Sequence, residues 1–411
     1  MNNKPNWKKT FAIIWSGQLF STLSSSIVGY AVVFWLSIET ESAEVLAFSM
    51  IATLLPQLVL GLFTGVFIDR WDRKRIMIFA DAFIAICTGI LCLMFISGNV
   101  EIWQIYVLLA ARSLGSAFHT PAMRASTPLL APESELMRVS GVNQMIYSIS
   151  SIAGPGLAAL FISLFDMTHI LMLDIVGAAI ACISLLFVSI PNPPKEEGKE
   201  RHIFREIGEG LHAIFSKRGL AWLFGCDVLV MFFIIPISVL FPLMTLNHFG
   251  GDTYQMSFVE ISWGVGMLMG GAIISLRRMK KVNKIILIAI TCIIIGLTFL
   301  FSGMLPPSGF YLFALLTAIS GLAAAIWSSS FTVILQTKID PAMQGRAFST
   351  YDSLMLMPSI PGLLATGFIA GSIGLTNAFI YAGIIICILG FVLFFIPSVM
   401  ELGRPGRISK K

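Results

Sequence analysis

The chain has 411 residues, of which 56% are hydrophobic and only 12% charged; its net charge is +5 and its mean hydropathy +0.87. Soluble domains are about a quarter charged, so this chain lacks the polar surface to cover a water-exposed globule. That excludes an ordinary soluble enzyme or nucleic-acid-binding module and implies a multi-pass membrane protein.

A spanning helix needs about 20 mostly apolar residues. On that length the sequence predicts an all-α membrane protein with twelve spans, at residues 11–37, 45–68, 76–96, 102–123, 139–164, 169–190, 220–246, 254–276, 285–304, 310–336, 347–371 and 375–396. The first apolar run is too long for a signal-peptide core of about 7–15 residues, so no cleavage is expected. Alternating the loops between two faces puts 26 of the 27 Lys and Arg on one face, from Lys4 to Lys411. The other face carries acids such as Glu39, Glu101 and Asp252. Basic loops stay cytoplasmic, so both termini are expected there, and the +5 charge needs no nucleic-acid partner. The six cysteines all lie in apolar runs without metal-type spacing and read as small buried residues.

Three regions are expected: an N-terminal six-helix half (1–190), a cytoplasmic linker (191–219) and a C-terminal six-helix half (220–411). The linker opens with a Pro-rich polar stretch. It continues with Ile203, Phe204, Ile207, Leu211, Ile214 and Phe215 at helical spacing, an amphipathic helix expected in the membrane interface. The halves look related. Pro132 to Arg138 after span 4 corresponds to Pro341 to Arg346 after span 10, and a basic stretch follows both span 2 and span 8.

Taken along the chain, span 1 offers Gln18, Ser21, Ser24, Ser25, Ser26 and Tyr30, a polar stripe suited to a cavity wall. The loop after span 2 reads Gly65-Val66-Phe67-Ile68-Asp69-Arg70-Trp71-Asp72-Arg73-Lys74. Gly65 permits close helix approach, Asp69 can accept from a helix N-terminus, and Arg70, Arg73, Lys74 and Arg75 are expected at the lipid headgroups. A plain basic anchor is the alternative, but it needs neither Gly65 nor Asp69. Arg112 lies near the middle of span 4, where a charge costs about 2.5–3.5 kcal/mol on insertion scales. It should face a partner or a cavity, or else bond backbone carbonyls between helices. Span 5 contains Gly154-Pro155 followed by Ala158-Ala159, either a packing motif or a simple kink.

Acids inside spans are candidate functional groups. Asp227 and Glu260 are the foremost proton-coupling candidates, with Asp174 and Arg112 beside them; Asp81 and Asp352, near span ends, are expected at headgroup level. Phe118, Tyr147, Phe232 and Trp327 are candidate cavity aromatics, although aromatics on spanning helices more often meet lipid or neighbours. His119, His169 and His248 lack metal-ligand spacing, and no metal is expected. No phosphate-binding loop occurs in the sequence, which argues against an ATP-driven pump.

The Gly65–Lys74 stretch resembles the major facilitator signature Gly-x-x-x-Asp-Arg-x-Gly-Arg-Arg/Lys. Asp72 stands where that family has Gly, and Asp is expected to tolerate a left-handed turn there. The resemblance implies two six-helix halves around a cavity and a gating latch in which Asp69 meets the start of span 11, near Arg346 and Asp352. The matching second-half stretch has Ser275 where the acid would be. Arg112 with Gly115 resembles the family's span-4 motif, which implies proton coupling. Gly154-Pro155 resembles the core of the drug:proton antiporter motif, which implies export. Over residues 6–190 most strongly, Trp15-Ser16-Gly17-Gln18, Asp69 to Ile78 and Arg112 to Ala122 are similar to Mef-type macrolide efflux proteins. The resemblance therefore implies proton-coupled efflux of an amphiphilic small molecule, foremost a macrolide. It implies a protein that is monomeric in a bacterial plasma membrane, driven by the proton gradient and without a cofactor. Export of a siderophore or other endogenous metabolite, nutrient uptake, and a receptor or scaffold role are the competing readings.

Overall fold

A computed structural model describes residues 7–130, 136–188, 190, 208, 211–212, 214–275, 282–339, 351 and 354–403. The described residues are helical, with no strand among them. The long helices are α1 (Trp7–Thr40), α2 (Ala43–Arg70), α3 (Arg73–Ser97), α4 (Ile102–Leu130), α5 (Leu136–Leu164), α6 (Met167–Leu186), α7 (Arg218–Val239), α8 (Thr253–Ser275), α9 (Lys284–Met304), α10 (Phe310–Lys338), α11 (Ser359–Ile373) and α12 (Leu375–Phe395), followed by short α13 (Pro397–Leu402). Between α7 and α8 the chain passes through a turn at Phe241–Leu243 and a π-helical turn at Met244–His248.

Among the described residues, ten helices are long and apolar enough to cross a membrane. α4 and α5 are helical through their expected spans but fall outside that group. α4 carries Arg112 and His119, and in α5 the described apolar stretch is Ser148–Leu164. The outer surface is apolar. On α3, Phe79, Phe83, Ile86, Ile90 and Leu93 recur every three or four residues and are all exposed, while Arg73 and Asp81 are buried. This inverts the arrangement of a water-soluble helix and suits hydrocarbon as the solvent.

Helix ends are set by local chemistry. Asp72 caps α3, its carboxylate accepting from Arg75 N at 2.9 Å. Its backbone is extended (φ −66°, ψ 114°), so the expected left-handed turn does not form; the acid is there as an N-cap. Asn283 caps α9 in the same way through Ile285 N. Asp252 and Gln255 form a reciprocal capping box at the start of α8. Gly98, at φ 70°, ends α3 in the left-handed conformation that glycine adopts without strain.

The chain divides into two compact units, one of Met1–Thr40 and Phe48–Arg201, the other of Glu41–Ala47 and His202–Lys411. In unit 1, α1 packs on α5 and α6, and α3 packs on α4 and α6. In unit 2, α7 packs on α11 and α12, and α9 packs on α10 and α12. Each of these pairs in unit 1 thus recurs in unit 2 six helices later. These four pairings are common to the two units; in unit 2, α8 also packs closely on α10. In unit 2 the helices come close where glycines allow it. A Cβ at Gly383 would strike the backbone of Leu300, and one at Gly296 the backbone of Cys387.

The expected amphipathic helix of the linker lies largely outside the described residues. Of its apolar positions, Ile214 is fully buried in the unit 2 core and Phe215 is exposed. Ile214 therefore packs against protein rather than lying in a membrane interface, because Leu220 and its neighbours give it a closer apolar partner. Lys217 donates to the Lys338 carbonyl.

Candidate functional site

Four helices of unit 1 meet at Asp174. It is contributed by α6 and is 1% exposed. Ser25 of α1 donates to its Oδ1 at 2.5 Å, Thr88 of α3 lies 2.8 Å from its Oδ2, and Arg112 of α4 pairs with the same oxygen at 2.9 Å. A buried ion pair persists only when further hydrogen bonds offset the loss of water, and both carboxylate oxygens here are bonded. Arg112 Nη1 is buried without a hydrogen-bond partner among the described residues. The partner expected for Arg112 from its depth is thus Asp174. Two of the four proton-coupling candidates are brought together; the other two lie in unit 2.

Asp81 and His119 form a second contact between α3 and α4, Nε2 to Oδ1 at 3.4 Å. Asp81 is 3% exposed. It is therefore turned away from the lipid headgroups that its position near the span end suggested, because α3 turns that face toward α4 and α6.

Gly65, Asp69 and Arg70 close the C-terminal end of α2; their side chains, with Arg346 and Asp352, lie outside the described residues. Arg73 is buried, with Nη1 donating to the Ala125 carbonyl at 2.6 Å near the end of α4. Lys74 donates to the Val188 and Leu186 carbonyls beyond the end of α6, at 2.7 and 3.3 Å. Lys74 thus satisfies carbonyls at the C-terminal end of α6 and Arg73 a carbonyl in the last turns of α4, so neither is a headgroup anchor. Charge alone suggested the headgroups; the free carbonyls that attract the charge appear only with the fold.

Gly154 faces Ser26 and Tyr30, bringing α5 against α1, and Ser26 Oγ donates to the Ser150 carbonyl at 2.8 Å. Pro155 lies inside α5. The polar stripe of α1 is divided among helix contacts: Ser24 against Gly177, Ser25 on Asp174, Ser26 on α5. Gln18 is 4% exposed and buried within unit 1. Ser24, Ser25 and Ser26 thus join helices and Gln18 is buried, which leaves Ser21 and Tyr30 as partly exposed members of the stripe.

In unit 2, Asp227 of α7 is 3% exposed and accepts from Tyr351 Oη at 3.1 Å. Tyr351 stacks on Phe331 at 4.8 Å and meets Phe224 edge-on at 5.9 Å. No cation pairs with Asp227 among the described residues. Glu260 on α8 is partly exposed, with no hydrogen bond or ion pair among them. Of the cavity aromatics, Trp327 is buried in the unit 2 core and is not a cavity residue. Phe118 packs partly buried on the unit 1 core and Phe232 meets Phe233 at 5.0 Å. The Tyr147 side chain lies outside the described residues. No group of three or more metal-ligating side chains occurs among the described residues.

Sequence reasoning missed Thr88 and Tyr351 as partners of the acids, and the His119–Asp81 contact. One signal was present. Ser25, Thr88 and Arg112 each have a polar residue seven positions away, at Gln18, Asp81 and His119.

Residues 14–362 match the Major Facilitator Superfamily. The chain is 36% identical over 403 residues to macrolide efflux protein A of Streptococcus pyogenes, covering 98% of this chain and 99% of that one. It is 38% identical over 323 residues to macrolide efflux protein A of Enterococcus faecalis, covering 78% and 99%. Among solved structures, a POT family transporter in complex with a thioalcohol-conjugated peptide superposes with a TM-score of 0.75 at 12% identity, covering 95% of this chain and 96% of that one. That likeness is one of fold.

Proposed function

As the chain belongs to the major facilitator superfamily, we propose that it exports bulky amphiphilic drugs, macrolide antibiotics foremost, in exchange for protons. The observation that carries this reading is the end-to-end match to macrolide efflux protein A, with 98% of this chain covered. We place the protein in a bacterial plasma membrane as a monomer of twelve spans in two six-helix halves, termini in the cytoplasm. The halves alternate access to a central cavity, and the Gly65–Lys74 segment latches one end state.

The acids divide the work. Asp174 is held by Arg112 and two hydroxyls, which suits a charge that stays in place. Asp227 has one hydroxyl donor and no cation among the described residues. A carboxylate buried without a counter-charge is costly unless it takes up a proton, so Asp227 is the acid that binds and releases the coupling proton. The membrane potential supplies about 2.3 kcal/mol per charge per 100 mV, with the pH difference added to it.

The test is expression in a macrolide-sensitive bacterium. Protection from erythromycin that a protonophore abolishes is the expected result. No protection, with the protein shown to be in the membrane, overturns the reading.

A further inference from the structure

Unit 1 holds a second polar tier to which the export cycle above gives no task. The upper tier is Ser25, Thr88, Arg112 and Asp174. Seven residues along three of the same helices stand Gln18 on α1, Asp81 on α3 and His119 on α4. Seven residues is nearly two turns, about 10 Å, and returns to almost the same helix face. The packing of α6 fixes the level. Gly177 faces Ser24 beside the upper tier, whereas Gly17 faces Ala181 and Ser184, and Cys182 Sγ lies 3.7 Å from the Ile78 carbonyl, beside the lower one. Beyond the lower tier lies the α3 end that Arg73 ties to Ala125.

The lower tier is unfinished. Gln18 Nε2, Asp81 Oδ2 and His119 Nε2 are all buried without a hydrogen-bond partner among the described residues. The 3.4 Å separation of His119 Nε2 and Asp81 Oδ1 is an ion-pair distance without hydrogen-bond geometry. Each buried polar atom left unbonded costs about 1–3 kcal/mol. Three at one level, on three helices, leave donor and acceptor positions that a further occupant would satisfy. The residue types name that occupant. Histidine is the side chain whose charge changes between about pH 5 and 8, and a carboxylate faces it here at 3.4 Å.

We propose that His119 and Asp81 form a second proton-carrying site, one tier from Arg112–Asp174 toward the Arg73 end of unit 1. A proton from water adds to the neutral imidazole, the imidazolium is held against the Asp81 carboxylate, and release to water returns both groups to their starting charge. The other groups facing this level among the described side chains are the Gln18 amide of α1 and the Cys182 thiol of α6. Arg112 and Asp174 stand one tier away, already paired, and Arg73 lies on the other side, bonded to Ala125. The inference rests on the proton-coupled export proposed above.

The experiment uses the full chain in liposomes, with erythromycin as substrate and a trapped pH dye as the proton readout. Exchange of labelled for unlabelled erythromycin at equal pH serves as the measure of a working carrier. His119→Gln and Asp81→Asn are expected to keep exchange and to lower the number of protons moved per erythromycin together with the pH dependence of uptake; the swap D81H/H119D is expected to restore part of both. Wild-type proton movement and an unchanged pH profile in the single variants overturn the site. So does equal loss of exchange and proton movement, which marks a purely structural contact. Wild-type vesicles that move erythromycin without protons overturn the coupling itself, and that is visible before any variant is compared.

Discussion

The two units solve one packing problem with opposite chemistry. In unit 1 the meeting of α1, α3, α4 and α6 is filled by Ser25, Thr88, Arg112 and Asp174. In unit 2 the same distances along the corresponding helices α7, α9, α10 and α12 fall on Pro236, Phe299, Ser320 and Ala382, all buried. Unit 2 shows that this arrangement of helices holds together without charge at this level; its own buried acid, Asp227, stands nearer the start of α7. The ion pair of unit 1 is therefore not a requirement of the fold, and a buried pair is weak evidence for stability in any case. Its retention at the centre of a spanning bundle points to the working cycle. Asp227, the buried acid of unit 2, sits beside an aromatic cluster with Tyr351 as its hydrogen-bond donor, and no cation balances it among the described residues.

The sharpest way to break this comparison is to remove one charge and then both. Asp174→Asn leaves Arg112 buried without its counter-charge and is expected to destabilise by about 3–5 kcal/mol, read as a large loss of thermal stability in detergent. The double variant R112L/D174L makes unit 1 resemble unit 2 and is expected to recover most of that stability while abolishing export. A double variant that is stable and still protects cells from erythromycin would show the pair to be a structural relic.

A smaller change tests the hydroxyls. Thr88→Val removes a donor to a buried carboxylate and is expected to cost about 1.5–3 kcal/mol, the range for hydrogen bonds to charged groups. A buried threonine of unit 2 for comparison is Thr291 of α9, whose hydroxyl bonds only the carbonyls of its own helix, Leu287 at 2.7 Å and Ile288 at 3.1 Å. Thr291→Val removes no partner from any other helix and is expected to cost less than about 1 kcal/mol. Equal losses in the two variants, measured by the same unfolding assay, would erase the distinction between a functional and an apolar interior.

The sequence made helices legible because hydrocarbon demands long apolar runs, and it flagged Arg112 and Asp174 because charges at that depth are expensive. It could not pair them. They stand 62 positions apart on helices that meet only once α3 and α6 have packed. The same limit explains Asp81, assigned to headgroup level from its distance to a span end alone. It also explains Trp327, whose aromatic character suits a cavity wall and a core equally. Arg73 and Lys74 were misread because a basic loop looks the same whether its cations reach lipid or helix-end carbonyls. The seven-residue spacing of polar positions on α1, α3 and α4 was in the sequence throughout. It becomes informative only when the register between helices is known.

The mildest test concerns the place where the two units agree. α3 and α9 correspond under the six-helix shift, and each begins with a short polar side chain in extended backbone that accepts from an N–H of the first turn: Asp72 from Arg75 at 2.9 Å, Asn283 from Ile285 at 2.9 Å. Loss of such a cap costs typically about 1 kcal/mol whether the acceptor is Asp or Asn. Asp72→Ala and Asn283→Ala are therefore expected to lower stability by the same small amount, and Asp72→Asn to leave it almost unchanged. If Asp72→Asn matches Asn283 in stability yet impairs export, the carboxylate at position 72 does more than cap α3, and the asymmetry between the units extends from the interior to the α2–α3 loop. If export is unchanged, the departure of this loop from the family signature is explained by helix capping alone, and the functional difference between the units is confined to their buried charges.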